Sequence, residues 1–316
     1  MWGNGALATW ALRIGTRGSE LALVQSRGVA ASLERAHAGL TCEIVRITTT
    51  GDRRCEPLPA IGGKGLFTGE IEDALRRGEI DLAVHSLKDL PTELPEGLAL
   101  GAVPERAPAN DAVVSASGAG LEALPAGAAV GTSSVRRAAQ VLRLRPDLRI
   151  VPIRGNVHTR IRKVLEGECE ATVLALAGLV RLGIGEQATQ VLGFEQMLPA
   201  PGQGALAVEI REEDGAVREL LAPIADPATT AATTAERALL ATLGGGCSLP
   251  LGAHAEVDAG ALRLRAVLLA PDASAAATAE CIGPQDDPQA VAAEGAERLL
   301  QDGSDAILAR LDAHPQ

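Results

Sequence analysis

Tyrosine is absent from this 316-residue chain, and two phenylalanines and two tryptophans are its only large aromatic residues. That scarcity argues against stacking platforms for single-stranded nucleic acid, which need several aromatic faces. Lysine is scarce as well, since 26 of the 29 basic residues are arginine. The five cysteines, Cys42, Cys55, Cys169, Cys247 and Cys281, form no C-x-x-C pair. An odd, scattered set argues against a disulfide framework or a structural zinc site and suits a reducing cytoplasm. No 18-residue stretch is both free of charge and dense in large apolar side chains, so no membrane span is expected. The best candidate, residues 171–180, suits a buried strand plus a turn. Residues 1–11 contain no basic residue, lack the positive start of a secretory signal, and read as a loose tail. No H-E-x-x-H occurs, and His37, His85, His158, His254 and His314 have no metal-ligand spacing. No metal is expected.

What is present is ordinary for a folded chain: 47% hydrophobic and 22% charged residues, with length for two or three domains. The charge is unevenly spread. Net charge is −11, yet residues 130–165 hold nine basic residues against Asp147 alone, a local +8 that leaves −19 on the remainder. An acidic protein with one arginine-rich segment has two readings, a solvated basic helix face or a site for an acidic ligand.

Alternating strand and helix patterns predict an α/β architecture. Strands are expected over 12–16, 43–49 and 80–84, with helices capped by Ser19 and Thr68 between them. Residues 51–65 read as a loop. The 103–110 stretch marks a crossing to a second domain, with strands at 128–130, 149–153 and 172–177, a helix at 135–144 and another from about residue 159. A second crossing at 199–204 leads to a strand at 205–210, and 223–228 is a further boundary. A helix to about 243, a turn at 244–247, two strands at 251–257 and 262–269, and helices at 289–301 and 304–311 complete the chain. No internal repeat is visible.

Two phosphate-type motifs fail. GGKG at 62–65 lacks both the first glycine and the hydroxyl of a phosphate loop, and Gly202-x-Gly204-x-x-Ala207 precedes a strand instead of a helix. Other motifs carry chemistry. Gly131-Thr132-Ser133-Ser134 opens a helix beginning with Arg136 and Arg137, so backbone N–H groups, hydroxyls and guanidiniums make an anion site. Residues 154–160, RGNVHTR, repeat that pattern; caps with solvated arginines are the plain alternative. In HSLKDLP (85–91) a carboxylate and a lysine sit at a strand's carboxyl end, where an acid can shuttle protons or offset a cation, or form a surface pair. GGGC (244–247) presents a thiol on a tight or closely approached turn, unless Cys247 is simply a small core residue.

LRIGTRGSELALVQ (12–25), GGKGLF (62–67), AVHSLKDLPT (83–92), GTSSVRR (131–137), RGNVHTR (154–160), PGQGA (201–205) and GGGCSLPLGAH (244–254) stand in one order. Together they resemble the hydroxymethylbilane synthases, also called porphobilinogen deaminases. The resemblance implies three α/β domains. The first two, residues 1–104 with 205–222 and residues 105–204, resemble a two-lobed periplasmic binding protein, and the third, 223–316, is a small α/β domain. It implies a transferase that condenses four porphobilinogen molecules head to tail, releasing ammonia, to give hydroxymethylbilane. It further implies a dipyrromethane cofactor attached through Cys247, with Asp89 and Lys88 catalytic. Ser19, Lys88, Asp89, Ser134, Arg136 and Arg137 would hold the cofactor, and Arg17, Arg154, Arg160, Arg181, Lys64 and Phe67 the substrate. Arg143, Arg145 and Arg162 would be surface residues. A cytoplasmic monomer without nucleic-acid or membrane partners is implied.

Two other readings remain at this level. A non-catalytic binding protein for an anionic molecule explains the arginines but not Cys247 or Asp89. Nucleic-acid binding through the +8 segment meets the acidic remainder and the missing aromatics.

Overall fold

The computed structural model describes residues 10–49, 68–245 and 249–313. Residues 1–9, the expected 51–65 loop, Lys64, Phe67 and Cys247 lie outside them. Among the described residues the strands are β1 (Trp10–Thr16), β2 (Leu40–Arg46), β3 (Leu82–Ser86), β4 (Leu98–Ala102), β5 (Asp111–Ser115), β6 (Ala129–Gly131), β7 (Arg149–Val151), β8 (Ala171–Ala175), β9 (Gln190–Val191), β10 (Leu206–Arg211), β11 (Leu251–Asp258), β12 (Ala261–Leu269) and β13 (Ala276–Pro284). The helices are α1 (Glu20–Ala36), α2 (Gly69–Arg76), α3 (Val135–Leu144), α4 (Val157–Leu165), α5 (Leu176–Arg181), α6 (Gly215–Leu221), α7 (Pro227–Thr242), α8 (Pro288–Gln301) and α9 (Ser304–Ala313). The architecture is α/β, as the alternation implies.

Contacts divide the described residues into two compact units. One comes from within 1–86, 93–105 and 206–226, the other from within 87–92, 106–205 and 227–316. The first unit is built on a sheet of order β2-β1-β3-β10-β4. β1 is parallel to β2 and β3, whereas β10 is antiparallel to β3 and β4. Ser19 caps α1, its Oγ accepting the Ala22 N–H at 3.3 Å. Val29 and Leu33 of α1 then pack onto Leu12, Ile14, Leu82 and Val208 of the sheet. The expected Thr68 cap is made by the backbone alone. Thr68 O accepts the Ile71 and Glu72 N–H groups, and its side chain makes no capping bond.

The second unit contains two sheets. One, of order β7-β6-β8-β5-β9, follows the same plan: three parallel strands, then antiparallel β5, then β9 antiparallel to β5. In both five-stranded sheets the reversed strand, β10 or β5, is the one entered directly after a crossing of the chain. The other sheet, β11-β12-β13, is an antiparallel meander covered by α7 and α8, whose Leu239, Val291, Ala296 and Leu299 close on Leu262, Leu264 and Leu268. The two sheets of this unit are joined by a buried cluster of Ala139, Leu198, Val267 and Leu269, and the Phe194 ring stacks on His254 at 3.8 Å. Gly252 belongs to this junction, because a Cβ there would meet Leu198 O at 2.9 Å.

Four strands escape the sequence reading: β4, β5, β9 and β13. β4 (LALGA) and β13 (AATAECIGP) are rich in alanine and glycine, which have low strand preference, and pairing with β10 and β12 overrides it. The strand expected at 172–177 stops at Ala175, where α5 begins. The strand expected at 43–49 runs from Leu40 to Arg46.

Candidate functional site

The site grows from the ends of the parallel strands. β3 ends at Ser86 and the chain tightens into a 3-10 turn over Leu87–Asp89, with Leu90 N–H donating to Leu87 O at 3.2 Å. Leu87 and Leu90 are buried, so the turn leaves Lys88 half-buried and Asp89 exposed. Arg237 of α7 holds this turn. Its guanidinium donates to Pro91 O at 2.6 Å, Thr92 O at 3.2 Å and Leu90 O at 3.3 Å. Burial pushes the Arg237 pKa down. These bonds fasten residues 87–92 within the second unit, although the strand that delivers them belongs to the first.

A strand-to-helix junction supplies the cations. β6 ends at Gly131, and Ser134 caps α3 by accepting the Arg137 N–H at 3.4 Å. Ser133 Oγ donates to Ile153 O at 2.9 Å. The first turn of α3 therefore presents Arg136 and Arg137, both buried, at 4% and 6% exposure. Their partner is Asp111, at the head of β5 and fully buried. Arg136 Nη1 donates to Asp111 Oδ2 at 2.8 Å and to Leu198 O at 2.7 Å. Arg137 Nε and Nη2 donate to Asp111 Oδ1 at 3.1 and 2.7 Å. Burial would raise the Asp111 pKa, but the two guanidiniums outweigh it and hold the carboxyl far below the usual range.

Gln203 connects this cluster to Lys88. Its Nε2 donates to Asp111 Oδ1 at 2.9 Å and to Ala109 O at 2.8 Å, while Lys88 Nζ donates to its Oε1 at 3.2 Å. The Lys88 pKa falls to about 8, through burial first and Arg137 next, opposed by Asp89 and Asp111. Arg181 Nη2 donates to Gly204 O at 2.7 Å, and burial lowers its pKa to about 10. Arg160 donates from Nε to Gly155 O at 2.8 Å; burial and then Arg137 lower its pKa. Lys88, Arg136 and Arg137 thus surround one buried carboxylate, an excess of positive charge beside the exposed Asp89.

The structure brings together Lys88, Asp89, Ser134, Arg136, Arg137, Arg160 and Arg181 of the expected residues. Arg154, just after β7, is exposed. Arg17 and Ser19 lie at the β1–α1 junction of the first unit. Arg143 and Arg162 are exposed, as expected for surface residues, but Arg145 is not a plain surface residue. Its side chain is 18% exposed and donates to Leu121 O, Glu122 O and Leu124 O as well as Asp147. Sequence reading also missed Asp111, Gln203 and Arg237. Gln203 stands inside PGQGA, where the flanking glycines were the only local signal. Among the described residues no three His, Cys, Asp or Glu side chains form a metal site, and no helix is long and apolar enough to cross a membrane.

Two family models match the chain. That described as porphobilinogen deaminase, dipyromethane cofactor binding domain, covers residues 12–219. That of the porphobilinogen deaminase C-terminal domain covers residues 230–301. The porphobilinogen deaminase of Roseiflexus castenholzii is 50% identical over 94% of this chain and 98% of its own. That of Syntrophobacter fumaroxidans is 47% identical over 94% of this chain and 96% of its own. That of Syntrophotalea carbinolica is 47% identical over 98% of both. The chain belongs to the porphobilinogen deaminase family, transferases of tetrapyrrole biosynthesis that condense four porphobilinogen molecules, with release of ammonia, into hydroxymethylbilane.

Proposed function

We propose that Asp89 is the catalytic carboxylate of this reaction and that Lys88, Arg136, Arg137, Arg154, Arg160 and Arg181 hold the acidic side chains of the pyrrole rings. The observation that carries this reading is the positive excess around Asp111, linked through Gln203 to Lys88, the chain neighbour of the exposed carboxylate. Each pyrrole unit bears an acetate and a propionate, so a growing chain brings more negative charge with every addition. Guanidiniums match carboxylates bidentately, and Asp111 keeps Arg136 and Arg137 oriented before any ligand arrives. Asp89 accepts hydrogen bonds from pyrrole N–H groups, offsets the positive charge that develops as ammonia departs, and takes up the proton lost when rings join. Lys88 supports it as a second catalytic group. Ser19, Ser134 and Arg17, at strand-to-helix junctions, complete the contacts to anionic groups, with Lys64 and Phe67 against the substrate.

A dipyrromethane fits this donor set, because its four carboxylates require the cations gathered here. When bound it supplies a pyrrole carbon to which substrate units are added. Cys247 is its attachment point in our reading, the only cysteine preceded by three glycines. The domains are taken as 1–104 with 205–222, 105–204, and 223–316; the scattered cysteines support a cytoplasmic location, and the family resemblance a monomer.

Intact-mass measurement tests the anchor. The purified protein is expected to exceed its sequence mass by two pyrrole units. Cys247→Ser should remove the excess, and changes at Cys42, Cys55, Cys169 or Cys281 should not. An unmodified mass with full activity would refute the covalent reading.

A further inference from the structure

Gln203 is fully buried, and its backbone is held on both sides. Its N–H donates to Ala200 O at 2.9 Å, and its carbonyl accepts Arg106 Nε at 2.8 Å. The next residue, Gly204, has φ of +88°, and a Cβ there would lie 2.4 Å from Ala107 O. Glycine is thus required at 204, and the Gln203 side chain projects from a backbone held by hydrogen bonds on both sides. The amide's orientation follows from its partners. Ala109 O and the ionised Asp111 only accept, so both need Nε2, and Oε1 is left facing the Lys88 ammonium. Hydrogen bonds in such a chain polarise one another: the carboxylate draws on the amide hydrogens and enriches the amide oxygen.

We propose that Gln203 is a positioning residue of the reaction, whose amide couples buried Asp111 to Lys88 and sets the charge with which Lys88 meets an anionic ligand. The inference rests on the reading of Lys88 given above. Charged groups of this unit act on Lys88 from several elements. Asp89 is on its own turn, Arg136 and Arg137 are on α3, and Asp111 is on β5. Arg160 of α4 acts on Arg137, and Arg237 of α7 binds carbonyls of the turn. Two cations oppose the ammonium, and Gln203 Oε1 supplies the direct acceptor that offsets them. Replacing the amide by a thioether chain removes that acceptor, while a carboxylate adds a charge to it.

The chain has only three lysines, Lys64, Lys88 and Lys163. Reductive methylation of the full-length protein with carbon-13 formaldehyde therefore gives few lysine signals, and Lys88→Arg identifies the one to follow. Gln203→Glu is expected to raise the Lys88 titration midpoint and Gln203→Met to lower it, each by about half a pH unit or more. Lys163, paired with Glu168 at 3.1 Å, should stay fixed. The alkaline limb of kcat/KM should move in the same two directions. An unmoved midpoint, or the same direction in both variants, overturns the coupling. If Gln203→Met does not fold, a midpoint that fails to rise in Gln203→Glu overturns it alone. Opposite midpoint shifts with an unmoved rate profile uphold the coupling and overturn the reading of Lys88 as a reaction group.

Discussion

His254 illustrates how little a residue's name says before its surroundings are known. Its ring is buried against Phe194, its Nδ1 is among the buried polar atoms with no hydrogen-bond partner, and its pKa falls to about 3 through burial, then Arg106 and Arg265. The sign follows from linkage. Below the ordinary value of 6.5 the unfolded chain binds a proton that the folded one refuses, so stability falls with pH between 6.5 and about 3. Urea unfolding across that window should show wild type losing up to ~1.4 kcal/mol per pH unit relative to His254→Gln, with no such trend above pH 7. Parallel stability profiles would show that His254 titrates in the folded protein. Legibility at this scale depends on how local the chemistry is. Lys88, Asp89, Arg136 and Arg137 could be found because the residues around them in sequence form their turn or helix start. Asp111 could not, because the guanidiniums that keep it ionised come from 25 and 26 residues further on. Arg145 was misjudged for the same reason, its carbonyl partners lying 21 to 24 residues back.

Helix α7 fastens four separate stretches of chain through two adjacent residues. Glu236, buried, takes Arg106 Nη1 at 2.7 Å and Nη2 at 3.0 Å, and also accepts the Gly202 and Ala255 N–H groups. Arg237 takes the carbonyls of residues 90–92. Glu236 thus fixes the crossings on either side of the second sheet, and Arg237 fixes the turn that carries Asp89. Arg237→Ala should destabilise by ~1–3 kcal/mol, the cost of losing charged hydrogen bonds to buried carbonyls. Turnover should fall several-fold as the turn loosens, with Arg143→Ala as a near-neutral comparison. Thermal unfolding and steady-state rates check this, and an Arg237→Ala protein as active as wild type would show that the turn holds its shape without the clamp. The helix was legible from sequence, its role was not. Periodicity locates an apolar face, whereas these two charged residues act through partners far away in sequence. β13 escaped for a related reason. Its alanines signal no strand, and only the full nine-residue register with β12 makes it one.

At the scale of the molecule, two five-stranded sheets share one plan, and in each unit the expected binding residues follow the ends of parallel strands: Arg17 and Ser19 after β1, Lys88 and Asp89 after β3, Ser134 to Arg137 after β6, Arg154 after β7. Ligand sites favour that end of α/β sheets, which is why strand assignments alone indicated most of the candidates. The charge pattern has the same origin. A local +8 in a chain of net −11 includes surface residues such as Arg143 and Arg162, but Arg136 and Arg137 are buried with one shared carboxylate. The expected domain boundaries rest on Pro- and Gly-rich crossings, while the grouping of 87–92 with the second unit goes with long-range bonds to Ala205, Gln203 and Arg237 and could not be read from composition. The most direct test of the whole account is the turnover of Asp89→Asn. Asp89 is exposed, so the amide should leave the unfolding midpoint unchanged. It can neither carry the negative charge nor take the proton, and turnover should fall by more than ~100-fold, a loss above ~2.7 kcal/mol of barrier lowering. A folded Asp89→Asn protein whose turnover stays within ~tenfold of wild type, under ~1.4 kcal/mol, would contradict the assignment of Asp89 and of the site built around it.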